Sequence, residues 1–172
     1  MKATSVLLTV VVAVTLQVLL ARYTTGGRWL FDLVLVGVVY AALNWGPVAG
    51  MLAGTCGGIV QDLLSNDIVG IGGLAKTIVG FTTGALGSQF VIARPAARMV
   101  LVAGASVVHR LVILGLHALV DRHWPGMPWA AMLGETGLNS LCGLVVFQAS
   151  EGWPGLWNRR RQGGRSGIRR QW

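Results

Sequence analysis

Lys76, Arg110 and Glu135 stand inside apolar stretches of this sequence, where each raises a question of chemistry. A charged side chain in hydrocarbon costs at least about 2.5–3.5 kcal/mol on insertion scales, so it needs a partner or a purpose. Counted along their stretches, Lys76 and Glu135 fall about 10–12 Å below one membrane face, and Arg110 about 15 Å below the same face. His109 and Asn139 lie at similar depth, and His117 is nearer the surface. Three readings are open: a proton or ion relay, a polar ligand pocket, or a structural network in which Glu135 neutralises Lys76 or Arg110. One acid against two bases favours the network, because relays are more often dominated by acids. No Ser/His/Asp or Cys/His arrangement, nucleotide loop or metal-spaced cluster stands out, so no catalytic residue, cofactor or metal ligand is assigned. Gly70-Ile71-Gly72-Gly73 neither follows a strand nor precedes a lysine at phosphate-loop spacing. Cys56 and Cys142 sit inside apolar runs and read as small buried residues.

The elements that must position these groups are apolar runs. Of the 172 residues 53% are hydrophobic and 12% charged, against about 25% charged in a soluble domain. The first run covers Ser5 to Ala21, too long for a signal peptide and without a cleavage site before Arg22. The second extends from near Trp29 to Leu43 and ends at the turn Asn44-Trp45-Gly46-Pro47. Further runs cover about Pro47 to Leu64, Ile68 to Ile92, Ala97 to Val120 and Pro128 to Ala149. The expectation is an all-α, six-span membrane domain over residues 1–150, followed by a disordered basic tail over 151–172. Trp29, Trp124, Trp129 and Trp153 fall at predicted helix ends, as an interfacial belt requires. Asp32 and Asp62 lie within about a turn of the outer face and are expected to pair with Arg28 or Arg22.

Glycine recurs at four-residue steps, as Gly46, Gly50, Gly54 and Gly58, and again as Gly80 and Gly84. That spacing stacks glycines along one side of a helix, where a missing Cβ lets another backbone approach. The seam serves internal packing or a partner protein, and internal packing is favoured.

The net charge of +8 is a tail and not a folded basic face: Arg159, Arg160, Arg161, Arg165, Arg169 and Arg170 lie in the final stretch. Nucleic acid is therefore not the expected partner. With both termini inside, Lys2, Arg94, Arg98 and the six tail arginines are cytoplasmic, against Arg22, Arg28 and Arg122 outside, and the positive-inside rule favours this orientation.

Gly58-Ile59-Val60-Gln61-Asp62-Leu63-Leu64-Ser65, followed by Val69-Gly70-Ile71-Gly72-Gly73-Leu74 and Gly80-Phe81-Thr82-Thr83-Gly84, resembles the rod shape-determining protein MreD family. The early acid in Phe31-Asp32-Leu33 is similar too, and motif resemblance covers about residues 31–90. The resemblance implies a non-enzymatic subunit of the bacterial wall-elongation machinery, in the inner membrane. Its implied partners are the bitopic protein MreC and the glycosyltransferase-transpeptidase pair that makes lateral peptidoglycan. It also implies a six-helix core similar to the substrate-capture subunits of energy-coupling-factor vitamin transporters. That likeness supplies the alternative, a small-molecule binding subunit of a transporter. Those subunits carry an Ala-x-x-x-Ala pattern in the first helix, whereas Ala3, Ala13 and Ala21 are not four apart.

Overall fold

The computed structural model describes residues 2–21, 31–65, 68–90, 94–122, 126 and 129–163. Their regular structure is entirely helical: α1 (Lys2–Ala21), α2 (Leu33–Trp45), α3 (Pro47–Ser65), α4 (Ile71–Gln89), α5 (Pro95–Asp121) and α6 (Trp129–Gly163). Four of these, α1, α3, α5 and α6, are long and apolar enough to cross a membrane. The chain is thus a multi-pass membrane protein. Its outer surface fits that solvent, with Leu7, Leu8, Val11, Val100, Leu119 and Val145 all exposed.

The short helix α2 is the centre. Its 13 residues give a rod of about 20 Å, less than the roughly 30 Å of a bilayer core. Val34, Leu35, Val36, Val38, Val39, Ala41 and Ala42 are all essentially inaccessible, so α2 is apolar on every side, as a helix enclosed by others must be. Helices α1, α3 and α4 wrap it, and α5 and α6 also touch it. Val36, Val39, Val79, Val102 and Phe147 build one cluster, with Val10, Val38, Ala41 and Ala53 in another.

Local chemistry sets the helix ends. Gly46 joins α2 to α3 at φ 93°, a left-handed conformation that a side chain would strain, and Pro47 begins α3 with the fixed φ that suits a first helical position. Pro95 begins α5 in the same way. Two expectations change. The second helix starts at Leu33 and not near Trp29, because Asp32 caps it by accepting from the Leu35 N–H at 3.0 Å. The last helix does not end near Ala149 but continues to Gly163, through the helix-forming Leu156, Arg159, Arg160, Arg161 and Gln162. Arg22, Arg28, Trp29, Trp124, Arg165, Arg169 and Arg170 lie outside the described residues.

Candidate functional site: a buried polar cluster at the head of α2

A helix that starts inside an apolar assembly exposes N–H groups that no water can reach, so side chains must satisfy them. At the head of α2 four side chains or main-chain groups do this. Gln17 of α1 accepts from the Leu33 N–H at 2.7 Å and donates to the Phe31 carbonyl at 2.8 Å. Asn139 of α6 accepts from the Asp32 N–H at 2.7 Å and donates to Ser106 Oγ of α5 at 3.1 Å. The Asp32 carboxylate caps Leu35, and its main-chain carbonyl accepts from Val36. Gln17, Asn139 and Ser106 are all buried. We expect Gln17→Leu to strand two main-chain groups at a cost of about 1–3 kcal/mol each. The thermal midpoint in detergent should fall clearly. Thr15→Val, which loses only an exposed bond to the Val11 carbonyl, should leave it nearly unchanged.

Asp32 has a second task. Its other oxygen pairs with Lys76 Nζ of α4 at 2.7 Å, and Lys76 reaches His109 Nε2 of α5 at 3.1 Å. All three side chains are buried. Of the two expected partners of Glu135, Lys76 is corrected, because Asp32 is the acid beside it, while Arg110 is found. The reason is geometric, since residue spacing gives depth along a helix but not the direction a side chain faces. Glu135 instead approaches Arg110 at 3.6 Å, with 31% of the arginine side chain and 15% of the glutamate exposed. That pair is loose and accessible, so it contributes little to stability.

The sequence-based partner of Asp62 is an arginine, and its observed partners are main-chain donors. Its Oδ2 accepts from the Gly70 N–H at 2.8 Å and the Gly73 N–H at 3.2 Å. Gly70 carries no side chain to cap α4, so the carboxylate at the end of α3 caps it across the turn. A Cβ on Gly72 would collide with the Asp62 carboxylate, which explains the glycine there.

The glycine steps form an antiparallel seam between α3 and α4. A Cβ on Gly58 would lie 2.5 Å from Gly73 Cα, and one on Gly50 would lie 2.5 Å from the Gly80 carbonyl oxygen. One on Gly54 would strike the Lys76 carbonyl, and one on Gly84 the backbone of Pro47. Gly46 is the exception among the predicted members, as a turn residue with open space where a Cβ would point. Thr55 and Thr77 hydroxyls also meet across the seam at 2.8 Å.

These groups border a cavity of about 140 Å³ whose lining includes Asp32, Asp62, Lys76, Arg110, Glu135 and both His109 and His117. Thus Lys76, Arg110 and Glu135 surround one space, while Asn139 stands behind it as a support for α2. Sequence reasoning missed Gln17, although a lone amide in an otherwise apolar first helix was its signal. It also missed Gln61 and Ser106. Among the described residues no group of three or more His, Cys, Asp or Glu is placed to hold a metal ion. No protein-family model, no curated protein and no solved structure matches the chain.

Proposed function

We propose that this chain is a non-enzymatic scaffold subunit of the bacterial cell-wall elongation machinery, holding an MreC-like bitopic protein and supporting lateral peptidoglycan synthesis. One observation carries the reading. The residues on which the MreD resemblance rests are those that interlock α2, α3 and α4: Asp32 on Lys76, Asp62 on the head of α4, and the glycines of the seam. The stretch of resemblance is therefore one rigid packing unit, as a scaffold needs. Because the seam is filled by the chain's own backbone, the partner surface lies elsewhere. On this reading all six helices cross the inner membrane, as in energy-coupling-factor capture subunits. Both termini are cytoplasmic, because the arginines at 159–170 dominate the positive-inside count.

Two measurements test it. A reporter fused after Trp172 should be active only as a cytoplasmic type, and periplasmic activity would refute the orientation. Tagged full-length protein purified from its native membrane should bring down an MreC-like bitopic protein and the glycosyltransferase-transpeptidase pair. Recovery of an ATP-hydrolysing coupling complex in their place would overturn the scaffold in favour of the transporter subunit, which the polar cavity would suit.

A further inference from the structure

The cavity beside α2 is bordered by ion pairs that do not use all of its polar atoms. Gln61 Oε1, His109 Nδ1 and Arg110 Nε are buried and have no hydrogen-bond partner among the described residues. Burying such groups unpaired is unfavourable, and His109 is only 3% exposed. The sense of each group follows from its neighbours. Lys76, held as an ammonium by Asp32 at 2.7 Å, has donors only. His109 Nε2, 3.1 Å from Lys76, must therefore accept, which places the imidazole proton on Nδ1. The residues lining the cavity thus include two with an unpaired N–H donor, His109 and Arg110, and one with an unpaired amide oxygen, Gln61. Glu135, loosely paired with Arg110, adds carboxylate acceptor capacity.

Charge narrows the guest. Asp32, Asp62 and Glu135 share the lining with Lys76 and Arg110, alongside a neutral His109 and His117. The excess acid is offset by the amino termini of α2 and α4, each worth about half a positive charge, which point at Asp32 and Asp62. A lining near neutrality favours a guest of no net charge, and donors beside acceptors favour one with both kinds of group. A cavity of about 150 Å³ holds a benzene-sized molecule. We propose that this cavity binds a small zwitterion of amino-acid size, with its carboxylate on His109 and Arg110 and its ammonium on Gln61 and Glu135. The inference is independent of the scaffold reading, since the experiment reads binding itself and no partner.

The test uses the full chain in lipid nanodiscs and three probes of similar size: L-alanine, propionate and ethylamine. L-alanine should raise the thermal midpoint saturably, and the two singly charged probes should not. Gln61→Leu removes one acceptor without touching the Asp32–Lys76 pair and should weaken L-alanine about tenfold. Ile113→Phe should fill the cavity and abolish the response. Should that variant fail to fold, the Gln61→Leu comparison alone decides. Absence of any saturable L-alanine response in the folded wild type would mean that the cavity holds water only, and the proposal falls. An L-alanine response unchanged in Gln61→Leu would place the effect elsewhere and also overturn it. Saturable binding of propionate or ethylamine alone would refute the net-neutral class.

Discussion

Lys76→Met should lower the thermal midpoint in detergent sharply, and adding Asp32→Asn to it should recover much of the loss. Both charges are buried and 2.7 Å apart. Removing one partner of a buried pair costs about 3–5 kcal/mol in general, because the survivor keeps its desolvation penalty without its attraction. Asp32→Asn alone leaves Lys76 with only His109, a neutral acceptor, and should be as damaging. The asparagine side chain still offers an oxygen to the Leu35 N–H, so the cap of α2 survives and the effect isolates the charge. Once both charges are gone, a thioether and an amide occupy the site and no ion remains to be solvated. Destabilised singles with no recovery in the double variant would show that Asp32 and Lys76 act separately.

A single methyl group at Gly54 should be nearly as harmful, whereas one at Gly104 should cost almost nothing. The Cβ of Gly54→Ala would overlap the Lys76 carbonyl, which belongs to helix backbone and cannot rotate aside. Helices α3 and α4 would have to separate, and association in lipid rests on close contact because the tails are as apolar as leucine. Overpacking of this kind costs about 1–3 kcal/mol, and here the parted helices also carry Asp62 away from the head of α4. Gly104, on α5, has nothing within 4 Å of its Cβ position, and there alanine should be neutral or gain up to about 1 kcal/mol from helix propensity. Equal midpoints for Gly54→Ala and Gly104→Ala would show that the seam does not determine stability.

The helices were legible because each is an apolar run broken by Pro, Gly or charge, and composition resolves that much. Lys76, Arg110 and Glu135 were legible as lying at similar depth because rise per residue converts position into depth. Glu135 beside Arg110 was one of two legible alternatives, but the pairing of Lys76 with Asp32 was not legible. A second helix begun near Trp29 places Asp32 at the outer rim. Starting that helix at Leu33 sets Asp32 instead at the head of a short, enclosed rod. Similarly, Asp62 reads as a surface acid until α4 begins at a glycine unable to cap itself. Both misreadings arose because a cap in an apolar setting depends on which helices surround it, a three-dimensional fact that periodicity does not contain.

The position of Lys76 in the chain also bears on biogenesis. Helix α4, which holds it, is not among the four helices apolar enough to cross a membrane by composition. A lone lysine adds about 2.5–3.5 kcal/mol to the cost of inserting such a segment. Synthesis runs from the amino terminus, so Asp32 and the glycine face of α3 are already in place when α4 leaves the ribosome. The helix thus meets a waiting counter-charge and a groove fitted to its backbone. A rearranged gene that placed α4 ahead of α2 would encode the same contacts, yet would deliver Lys76 to the bilayer before its acid existed.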